Sequence, residues 1–280
     1  MNDASAPAAA ATATPPPRDA AAAAAAQGLP LFFRSIEALD SSVHRMLRRK
    51  PRESYQFATG TNAIPIVYGE LPRIAQEYPV VFAGDGPNLH LVALVGLTNA
   101  ENLFVGADGR WQGRYVPAYL RCYPFALARG PEQSPGTFTV AIDRACPEFS
   151  NVDGAPLFDT AGEKTAYLNQ MLEFLQHYDA QMEQARRFAT RIAELGLLVS
   201  VNAEARLRNG EQFAMSGLRV IERGALYKLS NEAKLELLDN EMLEMVYHHF
   251  ASLQAFSQIV DRLAIQRGTS VSDVDPSIKA

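Results

Sequence analysis

The sequence predicts an α+β fold: a mainly antiparallel sheet with a long amphipathic helix, a β-hairpin and a C-terminal helical segment. Three observations support this prediction. Short β-rich segments follow one another at short spacing between residues 64 and 142, which is typical of an antiparallel sheet. Apolar residues then recur every three and four positions from Leu168 to Ile192, as on one face of a helix. Finally, Asn209-Gly210 stands between two alternating segments and indicates a hairpin turn.

The composition is that of a globular protein. The 280 residues are 48% hydrophobic and 20% charged, enough to bury a sizeable core without disulfides. The formal net charge of -5 argues against a general nucleic-acid-binding protein, which would carry a basic face. Two cysteines are too few for a disulfide framework, so we expect reduced thiols and a cytoplasmic protein, with atypical export as the alternative. No apolar run reaches the length of a membrane span.

Composition also divides the chain into four segments. Residues 1–29 are rich in alanine and proline and are expected to be a disordered leader. Residues 30–54 are a basic lead-in segment, whose cationic cluster is Arg45, Arg48, Arg49, Lys50 and Arg52. The cluster predicts either an anionic partner or a solvated approach to the domain, and the acidic balance elsewhere favours the second. Residues 55–267 are expected to form one α+β domain, followed by a flexible tail at 268–280.

The predicted sheet consists of short strands. Ile64–Tyr68 is expected at an edge, because Pro65 cannot donate to a central ladder. Leu89–Leu97 is nearly continuous in apolar residues and suits the centre of a sheet. Further strands are expected at Tyr78–Phe82, Asn102–Val105 and Thr137–Ile142.

Start and stop signals frame the helices and the hairpin. Thr160–Glu163 matches a capping box, so the long helix is expected to begin there, and Gly196 suits its end. The return strand of the hairpin changes its alternation at Ser216-Gly217, which predicts a bulge. Ser230 indicates a short helix, and apolar positions from Leu243 to Val260 indicate a longer one.

The segment from Trp111 to Phe125 is the densest in chemically distinctive residues. It combines the single tryptophan with tyrosines, prolines and arginines. Aromatic rings offer apolar area with a polar handle, and arginine stacks on rings or forks onto carboxylates. The segment therefore predicts either a structural core or the wall of a ligand pocket. The candidate ligand-binding residues are Glu70, Arg73, Trp111, Tyr115, Arg121 and Tyr123.

Catalytic motifs are not recognisable in this sequence. It contains no phosphate-binding glycine loop, no nucleophile elbow and no calcium-binding loop. His248 and His249 are adjacent, so on a helix they diverge by about 100° and cannot both face one metal ion. Arg121 could lower the pKa of the neighbouring Cys122 thiol, but no base can be assigned to it. We therefore expect no metal and no cofactor, leave catalytic residues unassigned, and favour a role other than catalysis.

Several segments, taken in order, resemble the SapC family. They are Ile66–Phe82, Glu101–Phe104, Tyr115–Phe125, Leu157–Asp159, Ser216–Val220 and His249–Leu253. The resemblance spans residues 55–265 and implies a bacterial protein associated with surface-layer genes. It also implies relatives encoded near flavin-dependent halogenase-like proteins and TonB-dependent receptors, and it assigns no catalytic residues. The membrane permease of peptide transport that shares the SapC name is unrelated.

Two functions follow as hypotheses. The first is an accessory protein that binds a protein partner or a small-molecule or peptide ligand in a surface-layer or nutrient-uptake system. The alternative is an enzyme that acts beside a halogenase-like flavoprotein on an aromatic or peptidyl substrate. A structural surface-layer subunit is a weaker third hypothesis, and the oligomeric state is left open. An enzyme predicts a concave pocket with a perturbed acid or base near residues 111–125, whereas a partner-binding module predicts an exposed apolar patch there.

Overall fold

The computed structural model describes residues 29–128 and 138–270, together with the backbone of Ser277–Lys279. The predicted leader lies outside the described residues except for Leu29, and so does most of the predicted tail. The fold is α+β, as predicted, and the strand pairs of the described residues are all antiparallel.

The described chain alternates short strands with helices of very different length. The strands are β1 (Ile36–Ala38), β2 (Arg48–Arg49), β3 (Ala63–Pro65), β4 (Val80–Ala83), β5 (His90–Leu94), β6 (Phe125–Ala128), β7 (Thr139–Asp143), β8 (Phe149–Ser150), β9 (Ala155–Pro156), β10 (Leu198–Arg206), β11 (Gln212–Ile221) and β12 (Ser277–Lys279). The α-helices are α1 (Ser41–His44), α2 (Leu71–Ile74), α3 (Ala118–Cys122), α4 (Ala166–Glu194), α5 (Arg223–Lys228), α6 (Asn231–Asp239), α7 (Met242–Ser252) and α8 (Phe256–Gln266).

The strands form one large sheet and two small ones. The large sheet has the order β12-β10-β11-β4-β5-β3, and the small sheets have the orders β1-β7-β6 and β8-β2-β9. Strand β3 lies at an edge, as its proline predicts, and β5 lies buried between β4 and β3. The hairpin of β10 and β11 carries the predicted bulge: its register shifts between Val201 and Ala203, and Gly217 has a φ of 78°.

Helix α4 joins two hydrophobic cores. Its first half packs with the β1-β7-β6 sheet through Leu168 and Leu175. Its second half packs on the large sheet, where the ring of Phe188 contacts those of Tyr68 and Phe82. Because the aromatic segment 111–125 leaves the larger core and ends in β6, it crosses the junction between the two cores.

Two sequence predictions are wrong for related reasons. The long helix begins at Ala166, where Thr165 accepts the N–H of Leu168, and not at Thr160. Asp159 accepts the N–H groups of Ala161 and Glu163, and this turn replaces the predicted capping box. Residues 102–105 form no strand either. The Asn102 side chain donates to the carbonyl of Ala58 and accepts the N–H of Phe104, which leaves only a single bridge at residue 105.

The other helix signals agree with the structure in part. Gly196 follows α4 with a φ of 65°, and Ser230 caps α6 by accepting the N–H of Ala233. The predicted longer C-terminal helix is instead two helices, α7 and α8, separated by a 3-10 turn at Leu253–Ala255.

Candidate ligand-binding clefts

The buried carboxylate of Glu70 holds the aromatic segment in place. Glu70 ends a 3-10 turn, Tyr68–Glu70, and precedes α2. One carboxylate oxygen, Oε1, accepts the N–H of Val67 at 2.9 Å. The other, Oε2, accepts the Tyr115 hydroxyl at 3.0 Å and the N–H of Ala118 at 2.8 Å. Burial raises the pKa of Glu70 above its usual 4.5, and these three hydrogen bonds oppose the rise.

The Tyr115 side chain connects Glu70 to two arginines. Its hydroxyl accepts a hydrogen bond from Arg121 at 3.0 Å. The guanidinium groups of Arg73 and Arg121 lie 6.0 Å and 5.6 Å from the centre of its ring. Burial, followed by the charge of Glu70, raises the pKa of Tyr115. The structure therefore brings together four of the predicted site residues: Glu70, Arg73, Tyr115 and Arg121.

Trp111 is hydrogen-bonded to the main chain of Tyr115 and not to its side chain. Its Nε1–H lies 3.0 Å from the Tyr115 carbonyl and 3.1 Å from the Tyr78 hydroxyl, which itself donates to that carbonyl at 2.6 Å. Glu77 accepts the N–H groups of Arg114 and Tyr115. Trp111 therefore braces the loop and does not join the Glu70 group.

The first cleft lies beside Glu77 and has a volume of about 450 Å³. We call it the Glu77 cleft; it is lined by Arg73, Gln76, Glu77, Arg114, Tyr115, Gln258 and Arg262. The guanidinium of Arg262 lies 3.8 Å from the Glu77 carboxylate and 4.2 Å from the centre of the Phe104 ring. The negative charge of Glu77 in this cleft is therefore already compensated by main-chain N–H groups and by Arg262.

The second cleft includes Arg121 and Tyr123 of the segment in its lining and has a volume of about 440 Å³. We call it the Arg49 cleft; it is lined by Arg49, Lys50, Pro51, Arg52, Tyr55, Arg121, Tyr123, Gly154, Ala155, Tyr167 and Met171. The Tyr123 hydroxyl donates to the buried Asp143 at 2.9 Å, and its ring stacks on Phe57 with centroids 4.2 Å apart. Tyr123 is therefore not part of the group formed by Glu70, Arg73, Tyr115 and Arg121. Arg121 belongs to that group and also lines the Arg49 cleft.

Arginines of the lead-in segment build the floor of the Arg49 cleft. Arg49 is buried and pairs with Glu148, which also lies 3.2 Å from Arg52. Arg52 donates to the carbonyls of Leu120 and Tyr123. The interpretation of this basic cluster as a solvated approach is therefore wrong for Arg49 and Arg52, which are part of the folded unit.

A family model described as SapC matches residues 39–259. The chain belongs to the SapC family. No curated protein and no solved structure matches this SapC protein. The matched range begins before the resemblance at residue 55 and includes β2, which carries Arg49.

Burial removes two other groups of this SapC protein from consideration as reactive sites. Burial raises the pKa of the Cys122 thiol to about 12 and outweighs the lowering effect of Arg121, so the thiol is not activated. His249 is fully buried and accepts the N–H of Ile221, and burial lowers its pKa to about 3. Among the described residues, no three His, Cys, Asp or Glu side chains are grouped to hold a metal, and no helix could cross a membrane.

Sequence reasoning missed several residues of the Arg49 cleft. Arg49 and Tyr55 come from one part of the chain and Tyr167 and Met171 from helix α4, and only the fold brings these two parts to Arg121. The one available signal was the basic cluster at 45–52, for which an anionic partner was the interpretation that the sequence did not favour.

Proposed function

We propose that this SapC protein is an accessory protein without catalytic activity that binds a small-molecule or peptide ligand in the Arg49 cleft. The observation that carries the proposal is that the cleft wall is preformed. Arg121 is held by the Tyr115 hydroxyl and the Val116 carbonyl, and Tyr123 by Asp143 and Phe57. A wall fixed by internal hydrogen bonds loses little conformational entropy when a ligand binds.

The shape of this region favours a ligand over a protein partner. The large apolar side chains of the segment pack in the hydrophobic clusters of the fold, and no large apolar residue between 111 and 125 is exposed. A protein-docking face would present apolar area to solvent, whereas a concave cleft of about 440 Å³ has the size of a small-molecule site. The link to surface-layer or nutrient-uptake systems rests on the family resemblance.

Binding is favoured over catalysis by the placement of Glu70. Its carboxylate already accepts three hydrogen bonds, and the residue lines neither cleft. A general base must reach the proton that it removes from the substrate. Here the Tyr115 hydroxyl already occupies Oε2 of the Glu70 carboxylate. In this proposal the raised pKa of Glu70 is a consequence of its structural role.

One observation favours the enzyme hypothesis as a second candidate. Glu70, Tyr115 and Arg121 form a continuous hydrogen-bonded chain, and Arg121 lines the Arg49 cleft. Such a chain would couple the charge of a bound ligand to that of Glu70 through polarised hydrogen bonds. The substrate of this second candidate is the aromatic or peptidyl compound that a neighbouring halogenase-like flavoprotein also uses.

The first test is a pull-down of the tagged chain from its native host, with mass spectrometry of proteins and small molecules. We expect a small molecule or peptide that the wild type retains and that Arg121→Gln loses. Arg186→Gln is the matched control, because Arg186 is an exposed arginine that does not line the cleft. If nothing is retained, or if both variants behave alike, the proposed function is wrong.

The second candidate is tested with the retained ligand and the neighbouring flavoprotein. Tyr115→Phe cuts the chain between Glu70 and Arg121 and leaves the ring in place. If turnover of the ligand requires this SapC protein and collapses in Tyr115→Phe while binding persists, the protein is an enzyme and the accessory role is wrong. Unchanged turnover would remove Glu70 and Tyr115 as catalytic candidates.

A further inference from the structure

A buried arginine of the Arg49 cleft has an unused hydrogen-bond donor. Arg49 is 6% exposed, and two of its guanidinium nitrogens bind the Lys50 carbonyl and the Glu148 carboxylate. Among the described residues its Nε–H has no hydrogen-bond partner. A buried donor without an acceptor is unfavourable, so a ligand acceptor that reached this nitrogen would be stabilised there.

The charges around the cleft leave an excess of cations. Glu148 pairs with both Arg49 and Arg52, and Asp153 lies 3.9 Å from Lys50. Arg121 lines the same cleft, and its hydrogen bonds go to the Val116 carbonyl and the Tyr115 hydroxyl, neither of which carries a negative charge. Within the described part of the chain, four cations therefore line the cleft and have two carboxylates as their ion-pair partners, which is an electrostatic preference for an anion.

The remaining walls offer apolar contact. Tyr167 and Met171 lie one turn apart on α4, and both line the cleft. Tyr55 contributes a third side chain, whose ring also has the Arg52 guanidinium 5.6 Å from its centre. A ligand with an anionic group and a flat apolar body matches both parts of this surface.

We propose that the Arg49 cleft binds a small organic oxyanion, either a carboxylate or a phosphate. The anionic group accepts hydrogen bonds from Arg121 and, after a small movement of the groups that cover it, from the Arg49 Nε–H, and the organic body lies against Tyr167 and Met171. This inference rests on the proposed function, because it names the class of ligand that the same cleft takes. Both oxyanions match the geometry of a guanidinium, so the test includes one probe of each.

The experiment is calorimetric titration of the full chain at low ionic strength with four probes. Benzoate and phenyl phosphate carry a ring and an oxyanion, inorganic phosphate carries only the oxyanion, and benzamide is a neutral analogue of benzoate. We expect benzoate or phenyl phosphate to bind at least tenfold more tightly than benzamide, and the difference to shrink as salt is added. Inorganic phosphate is expected to bind more weakly than phenyl phosphate, because it lacks the body that the Tyr167 wall contacts.

Variants locate the anion within the cleft. Arg121→Gln should weaken the tighter anionic probe at least tenfold, whereas Arg186→Gln should leave it unchanged. Arg49→Lys keeps a cation beside Glu148 but removes the Nε–H, and it should also weaken binding. If Arg49→Lys does not fold, as judged by circular dichroism, Arg121→Gln still tests the inference, because Arg121 is exposed.

Several results would overturn the inference. They are equal affinity for benzoate and benzamide, no binding of either anionic probe, and wild-type affinity in Arg121→Gln. The inference and the proposed function fail separately. A neutral ligand captured from the host and lost in Arg121→Gln would keep the proposed function and remove the oxyanion. Binding of benzoate without any ligand captured from the host would keep the oxyanion inference and remove the proposed function.

Discussion

Removal of one oxygen atom, by Tyr115→Phe, tests how the Glu70 carboxylate holds the aromatic segment. The hydroxyl donates to this buried carboxylate at 3.0 Å, and a hydrogen bond to a charged group contributes about 1.5 to 3 kcal/mol. The other partner, Arg121, is exposed, so water replaces the lost acceptor at little cost. We expect the free energy of unfolding to fall by about 2 kcal/mol, which corresponds to about 4 to 8 °C in melting temperature.

The loss of stability in Tyr115→Phe should also depend on pH, in a direction that follows from the raised pKa of Glu70. The pKa of Glu70 is already above 4.5 in the folded protein, so its ionisation costs stability as pH rises through that raised pKa. Loss of the Tyr115 hydroxyl raises this pKa further and makes the cost larger at neutral pH. The difference between wild type and Tyr115→Phe should therefore be greatest near pH 7 and shrink as pH falls towards 4.5.

Urea unfolding between pH 4 and 8 measures this difference. The dependence of the unfolding free energy on urea concentration should be the same in both proteins. Tyr227→Phe is the control, because Tyr227 is 61% exposed, and it should change stability by less than about 0.5 kcal/mol. A loss in Tyr115→Phe no larger than that of the control would refute the reasoning, and so would a loss that grows in acid.

Three further predictions concern the rest of the fold. His249 is buried in its neutral form, with its pKa lowered to about 3, so its contribution is complete above pH 6.5 and is lost as pH falls towards 3. His249→Gln should flatten this acid limb in a pH series of unfolding free energies, and an unchanged limb would contradict the prediction. Ser252→Ala should cost about 1 to 3 kcal/mol in chemical denaturation, because the buried Ser252 hydroxyl accepts the Val80 N–H. Ser257→Ala is the exposed control: Ser257 donates to the carbonyl of Gln254 as Ser252 donates to that of His249, but it accepts no buried N–H, so an equal loss in both variants would be inconsistent with this reason. Gly217→Ala should lower the thermal midpoint by the equivalent of about 1 kcal/mol, because its φ is 78° while nothing lies within 4 Å of an added Cβ. Gly60→Ala meets equally open space without a positive φ and should be neutral or slightly stabilising, so the opposite order of the two glycine variants would disprove the backbone argument.

The fold could be predicted where one periodicity dominates a long segment. The apolar stripe of α4 and the alternation of β10 and β11 fix the type of each element, because burial of one face outweighs other local preferences. Prediction failed where a polar side chain bonds to its own backbone. Asp159 and Asn102 each accept nearby N–H groups, and the resulting turns replace a helix start and a strand.

The candidate site was predicted only for residues whose chemistry requires partners. A buried Glu70 needs hydrogen-bond donors, and a nearby tyrosine and arginine are natural ones, so Glu70, Tyr115 and Arg121 were found together. Tyr123 and Trp111 were placed with them because they are close in sequence, but successive side chains of the segment point to different sides. Arg49 was missed because the charge of a basic run does not indicate which of its members is buried.

The two glutamates flanking α2 hold the loop by its peptide groups. Glu77 binds the N–H groups of Arg114 and Tyr115, and Glu70 binds that of Ala118. Every amino acid except proline supplies such an N–H. Evolution can therefore replace the exposed side chain at position 114, which lines the Glu77 cleft, without releasing the loop from its anchor. The architecture separates the part of the loop that must stay constant from the part that can change, so new binding specificities can arise on an unaltered frame.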